Sequence, residues 1–356
     1  MRLFNCPKCR NVLYFENVTC TQCDSELGFI PELLALVAIS SREEAQVSVV
    51  GDKVGYHKCA NYKEHNVCNW LVAETDNVEY CRACRLNDTI PNLSIEGNTT
   101  LWHTMEKEKR RLIYSLMQLR LPILTKEQDE KKGLSFSFLS DSPAEFSERN
   151  RVLTGHNQGH ITINLAEADP SERERMRNQM AEPYRTILGH FRHESGHYYW
   201  DRLIAQSKWL SPCRELFGDD TENYSDALKQ HYEIGPPKNW QENYVSSYAS
   251  SHAWEDWAES WAHYLHIVDT LETAYQFDLK VSPLAAKEDG YEMDVGFNPY
   301  KQKSFQPIID HWLPLTFALN SLNRSMGHSH VYPFVLSAKV IEKLAFVHEV
   351  VRDSRR

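Results

Sequence analysis

Apolar residues recur at helical intervals over several long stretches of this chain and at alternate positions over shorter ones. Across residues 101–121, Leu112, Ile113, Leu116, Met117 and Leu119 share one face behind a charged start, and Pro122 closes the predicted helix. Residues 134–139 and 160–165 are short β-prone runs. In the second, Ile161, Ile163 and Leu165 alternate with Thr162 and Asn164, as a strand with two different faces should. Residues 170–182 are polar and predict a helix start or a surface helix. The pattern over 183–206 predicts a helix with Pro183 in its first turn and Ile187, Leu188, Phe191, Leu203 and Ile204 as apolar contacts. Residues 211–243 read as a polar stretch broken at Gly235-Pro236-Pro237. A second strong helix is predicted over 252–270, its stripe made of Trp254, Trp257, Ala258, Trp261, Leu265 and Val268. Residues 277–303 are loop-rich, and helices over 304–324 and 334–351 close the chain. The expected fold is α+β: a mainly helical domain over 100–356 with a small sheet, preceded by small modules.

Those modules are defined by cysteine rather than by periodicity. Cys6, Cys9, Cys20 and Cys23 form two CxxC pairs within residues 1–28, with Val12 to Phe15 and Val18 reading as a short hairpin that turns near Asn17. Four thiolates on two such turns can surround a tetrahedral ion, and so few residues cannot build a core without one. A second module is expected over 51–95, with Cys59, Cys68, Cys81 and Cys84 as ligands. Its first pair is spaced irregularly, and His57 and His65 are nearby substitutes. Cys213 stands alone.

Composition changes this picture little. At 356 residues, 42% hydrophobic and 25% charged, the chain has the balance of an ordinary globular protein with room for a sizeable core. The opening MRLFNCPKCR lacks the layout of an export leader, and no apolar run approaches the ~20 residues of a membrane span. The longest, around Ile30 to Ile39, is interrupted by Pro31 and Glu32. A cytoplasmic location is expected, where clustered cysteines favour metal over disulfides. The net charge is −10, with no basic excess in either the cysteine-rich part or the remainder, which argues against nucleic acid as a partner.

The chemistry sits in His193-Glu194-Ser195-Gly196-His197. One helical turn separates the two histidines, so both imidazoles can reach one ion. Two neutral imidazoles suit zinc, and Glu194, outside the ligand set, can take a proton from the water that the ion activates and later protonate the leaving amine. Gly196 is expected to keep the face between the histidines unobstructed. A catalytic zinc needs a third ligand, and the second helix offers Glu255 and Glu259 at i and i+4 on one side. Glu255 is assigned to the metal and Glu259 to the N–H of a ligating histidine. His263, four residues after Glu259, could compete as a ligand. His156, His160, His190, His252 and His266 read mainly as packing or hydrogen-bonding residues.

The run Ser247-Tyr248, seven residues before Glu255-Asp256-Trp257-Ala258-Glu259, resembles the third-ligand helix of lethal-factor-like gluzincins and Pro-Pro endopeptidases. The resemblance implies the same two glutamate roles and makes Tyr248 a hydrogen-bond donor to the tetrahedral intermediate, with Tyr244 its nearest competitor. A wider resemblance rests on the paired CxxC, CNW at 68–70, CRACRL at 81–86, ITINLAEAD at 161–169, HFRHESGHYYWDRLI, EDWAESWAHYLHI, and NRSMG followed by YPFVLS. Together they resemble a bacterial zinc-binding metallopeptidase family with an N-terminal zinc ribbon. In zincins of this type a strand above the zinc helix pairs with extended substrate; residues 160–165 are the candidate, an interior strand being the alternative.

These readings imply one catalytic and two structural zinc ions and a gluzincin-type metalloprotease acting on peptide or protein. Two other classes stay open: a zinc-ribbon adaptor for protein or nucleic acid with a non-proteolytic HExxH domain, and a zinc amidohydrolase acting on a non-peptide amide.

Overall fold

Cys6 and Cys9 lie on the turn joining β1 (Phe4–Asn5) to β2 (Val12–Leu13), which pair antiparallel. The hairpin therefore turns through the first CxxC and not near Asn17, because the knuckle itself reverses the chain: Arg10 N donates to Cys6 O at 2.8 Å, and Arg10 takes a left-handed φ of 63°. Asn17 closes only a local turn, its Oδ1 accepting from Tyr14 N. Cys20 and Cys23 occupy the next reversal, closed by a Thr19–Glu26 bridge.

The computed structural model describes residues 1–41, 47–49, 54–141, 152–179, 184–285 and 290–355. They fall into two units, one of residues 1–117 and 122–176, the other of 118–121 and 177–356. In the first unit a five-stranded antiparallel sheet runs in chain order through β3 (Leu27–Ile30), β4 (Ala35–Ser41), β5 (Val47–Val49), β6 (Gly55–Lys58) and β7 (Leu71–Ala73). Residues 31–34 make the β3–β4 turn, with Leu34 N on Pro31 O, so the run interrupted by Pro31 is a hairpin. Ile30, Val37, Tyr56 and Leu71 bury one face of the sheet. The short helix α1 (Ala60–Lys63) lies between β6 and β7, with Cys59 at its N-cap.

Phe15, Phe29 and Trp70 pack edge-on and tilted at 4.9–6.2 Å between ring centroids, and Phe15 reaches Tyr114 at 5.2 Å. Tyr114 belongs to α2 (Asn98–Gln118), so ribbon and helix share an aromatic core. A second sheet has the order β10 (Gly155–Asn157), β11 (His160–Asn164), β9 (Ser135–Leu139), β8 (Asn87–Thr89). β11 is thus paired on both sides, antiparallel to β10 and parallel to β9. Its backbone groups are spent within the sheet, which removes residues 160–165 as a strand open to substrate. The alternation reflects two different faces, Ile161 and Ile163 being buried and His160 and Thr162 half-buried, and carries no information about the edge. α3 (Pro170–Gln179) comes after this sheet in the chain.

The second unit is helical: α4 (Ile187–Tyr199), α5 (Leu210–Phe217), α6 (Tyr224–Ile234), α7 (Ala253–Gln276), α8 (Gln306–Ser325) and α9 (Ala338–Asp353), with one hairpin, β12 (Lys280–Val281) and β13 (Met293–Asp294). α4 starts at Ile187 because Thr186 caps it, Oγ1 accepting from Gly189 N at 2.9 Å; Pro183 lies outside the described residues. A single π-helical turn, Trp200–Ile204, extends it. The stretch 211–243, read as polar and irregular, holds most of α5 and all of α6. α7 is the core, with Trp257, Trp261, Leu265, Val268 and Leu271 fully buried. Among the described residues no helix is long and apolar enough to cross a membrane.

α4 and α7 meet at Gly196. A Cβ built there would lie 2.9 Å from Ala258 Cα, so the glycine permits helix contact rather than clearing the space between the histidines. Helix propensity favours alanine over glycine by roughly 1 kcal/mol; the contact reverses the sign, because the obstruction is backbone. Gly196→Ala is expected to destabilise by roughly 1–3 kcal/mol, seen as a lowered melting temperature. A neutral or stabilised variant would contradict this packing.

Candidate metal centre and its surroundings

Three groups of side chains converge in the manner of metal sites. Cys6, Cys9, Cys20 and Cys23 form one group, Cys59, Cys68, Cys81 and Cys84 the second, and His193, His197 and Glu255 the third; within each, the donor atoms lie within 4.8 Å of one another. The sulfurs stand 3.7 Å (Cys6–Cys23), 3.6 Å (Cys9–Cys20) and 3.7 Å (Cys68–Cys81) apart. A tetrahedron with zinc–sulfur bonds of about 2.3 Å requires an edge of about 3.8 Å. A disulfide is close to 2 Å long, so these are thiol sets sized for one ion. In the second set backbone N–H groups face the sulfurs, Cys81 N on Cys59 Sγ at 3.3 Å and Trp70 N on Cys68 Sγ at 3.4 Å, as outer partners of thiolates do. His57 and His65 stay outside: His57 Nδ1 contacts Lys58 O, and His65 packs on Trp102.

The third group is built by α4 and α7. Glu255 Oε2 lies 3.0 Å from His193 Nε2 and 3.5 Å from His197 Nε2. It is buried and forms no well-directed hydrogen bond, so two imidazole nitrogens and one carboxylate oxygen face a common point. An N,N,O donor set of this kind is that of a catalytic zinc with a free coordination position. His193 Nδ1 meets Glu259 Oε1 at 2.8 Å, and Ser246 Oγ donates to Glu259 Oε2 at 2.6 Å, which fixes the ring through its other nitrogen. Burial would lower the His193 imidazole, but Glu255 and Glu259 raise it well above its ordinary value, so a metal that takes Nε2 must displace a proton. Burial opposes ionisation of Glu259, yet the His193 hydrogen bond holds it down at about 2.

Glu194 lies beside the histidines, buried, and desolvation pushes its carboxyl up, with the nearby Glu255 charge adding to that. Trp254 is only half-buried and stacks on the His197 ring at 3.8 Å between centroids, so the first member of the tryptophan stripe walls the site instead of filling the core. Tyr248 approaches His193, ring to ring, at 6.0 Å. Tyr244 is engaged elsewhere, under the Lys343 ammonium at 4.4 Å. His263 is not among the converging donor atoms; its Nδ1 meets Tyr332 Oη at 2.7 Å, and burial holds its imidazole down at about 4. His266 contacts Arg192.

One residue at the site, Tyr224, was not anticipated, while His252 takes a hydrogen-bonding role of the kind expected of it. Tyr224, the first residue of α6, donates to Glu255 Oε1 at 2.6 Å. His252 caps α7, its Nδ1 accepting from Trp254 N at 3.0 Å while Nε2 faces Glu222 O at 3.2 Å.

Comparison with known proteins agrees with the donor chemistry. The profile of a family described as "Putative zinc-binding metallo-peptidase" matches residues 98–350, and that of a zinc-ribbon domain matches residues 3–95. Uncharacterized proteins of Mycobacterium tuberculosis (strain ATCC 25618 / H37Rv) and Mycobacterium bovis (strain ATCC BAA-935 / AF2122/97) are each 46% identical to this chain over 354 residues, which is 99% of this chain and 96% of theirs. No solved structure matches significantly. Two four-cysteine sets and one His/Glu set, in a chain with these matches, identify zinc as the metal.

Proposed function

Since the chain belongs to this zinc-binding metallo-peptidase family, we propose that it hydrolyses peptide bonds by a gluzincin-type mechanism with His193, His197 and Glu255 as ligands. The observation that carries the reading is the buried Glu255 Oε2 aimed between two imidazole nitrogens. Zinc held there supplies Lewis-acid polarisation of the scissile carbonyl and acidifies water. Glu194, next to the ligands but not among them, accepts the proton of the attacking water and passes it to the departing amine, whose protonation makes cleavage irreversible at neutral pH. Tyr248 donates a hydrogen bond to the carbonyl oxygen as negative charge develops on it. Glu259, held by Ser246, keeps His193 in the orientation that presents Nε2. The cysteine sets stabilise the first unit, since each is a closed arrangement with no free ligand position.

Incubating the zinc-loaded protein with a diverse peptide library tests the reading. Cleavage is expected, abolished by a chelator that strips the His/Glu site and restored by added zinc. Zinc-dependent turnover of non-peptide amides with every peptide left intact would replace proteolysis by amidohydrolysis.

A further inference from the structure

The ligand role of Glu255 leaves its second oxygen to be accounted for. Tyr224 Oη donates to that oxygen, Oε1, at 2.6 Å, while Oε2 faces the imidazoles. The tyrosine comes from α6, a helix with no buried residue, so tertiary packing does little to hold it in place. Two local devices do. Asn223 caps α6, its Oδ1 accepting from Asp226 N at 3.1 Å. The Tyr224 ring sits edge-on against His252 at 5.4 Å and Trp254 at 5.6 Å, both at the start of α7. His252 ties the segment down. Its Nδ1 accepts from Trp254 N, so its proton is on Nε2, which donates to Glu222 O two residues before Tyr224. The phenol is therefore anchored to the same helix start that carries Glu255.

We propose that Tyr224 is a positioning residue that restricts Glu255 to a single ligand oxygen, by holding Oε1 away from the metal, and thereby keeps a coordination position open for substrate. A free carboxylate can turn both oxygens toward a cation. With Oε1 committed to the Tyr224 hydroxyl, Glu255 offers only Oε2, and the three-ligand site retains the opening that a catalytic zinc needs. The inference rests on the reading of Glu255 as a ligand given above.

The test uses the full chain with both cysteine sets zinc-loaded and cobalt(II) in the His/Glu site, comparing wild type, Tyr224→Phe and Glu255→Gln. Phenylalanine preserves the ring contacts with His252 and Trp254, and an unchanged melting temperature confirms that the fold is intact. In Tyr224→Phe the visible cobalt band is expected to weaken, as it does when coordination number rises. The zinc form should lose kcat roughly 10–100-fold with KM little changed, the typical consequence of deleting an outer partner of a metal ligand. An unchanged cobalt spectrum in Tyr224→Phe, with an altered one in Glu255→Gln, overturns the inference alone. An unchanged spectrum in Glu255→Gln overturns the ligand assignment on which it stands. Because the spectrum is read without substrate, neither result depends on whether peptides are the substrate.

Discussion

Glu194→Gln is expected to slow peptide hydrolysis by roughly 10²–10⁴-fold, the range that a positioned general base supplies, while the His/Glu site keeps its zinc. The argument is one of position. Glu194 sits on α4 between His193 and His197, yet the atoms that converge are His193 Nε2, His197 Nε2 and Glu255 Oε2, so the Glu194 carboxylate is not needed to hold the ion. Glutamine has nearly the same volume and can still hydrogen-bond, but it cannot accept a proton at neutral pH. Loss of rate with retained metal separates proton transfer from metal binding, whereas His197→Ala should lose both together. Metal content measured on the purified variants, beside cleavage rates, decides the matter. Unchanged cleavage by Glu194→Gln would reject the mechanism, and loss of its zinc would mean that Glu194 belongs to the ligand set.

What sequence could reveal here follows the range over which each feature is determined. His193 and His197, and Glu255 and Glu259, are one helical turn apart, and that spacing alone sets which side chains share a face. The first cysteine set and the Cys81–Cys84 pair were legible for the same local reason, whereas the loop between Cys59 and Cys68 hides their pairing from local spacing. The fault lines are long-range. β11 has a strand's alternation, but whether it is an edge depends on β10 and β9, which come from separate segments. Gly196 belongs to the histidine motif, yet what it touches is Ala258 on another helix. α6 was missed although it is amphipathic, because the surrounding stretch is polar and the helix buries no side chain. A capping signal was nevertheless present, Asn223 three residues before Asp226, and it would have placed Tyr224 at a helix start. The contact of Tyr224 with Glu255 spans 31 residues and has no local signature at all.

Lys343→Met should produce the largest loss of stability, roughly 3–5 kcal/mol, and one that grows with pH. Lys343 Nζ, on α9, lies 2.5 Å from Asp256 Oδ2 and 2.6 Å from Asn243 O, inside a pocket roofed by the rings of Tyr244 and Phe217. Asp256 is fully buried, and its Oδ1 accepts no hydrogen bond. Burial pushes its carboxyl up to about 7, against the downward pull of Lys343. A carboxyl raised on folding contributes most below its unfolded value of about 3.9, and that contribution is lost as pH climbs to the folded value. In the wild type the loss ends near 7. Methionine removes the pull of the ammonium, so the folded value moves higher and the variant goes on losing about 1.4 kcal/mol per pH unit above 7 while the wild type levels off. Denaturant melts at pH 6 and pH 9 should therefore show a wider gap at pH 9. Lys343→Met combined with Asp256→Asn should recover part of it, since no buried charge is then left alone. A gap equal at the two pH values, or below about 1 kcal/mol, would mean that the pair is not the anchor its geometry suggests. The consequence reaches the metal centre, because Asp256 adjoins Glu255 and Asn243 opens the segment that carries Ser246 and Tyr248: the pair fixes the start of α7 and the approach to it against α9, and a loosened variant should bind zinc less tightly at alkaline pH than at neutral pH relative to the wild type.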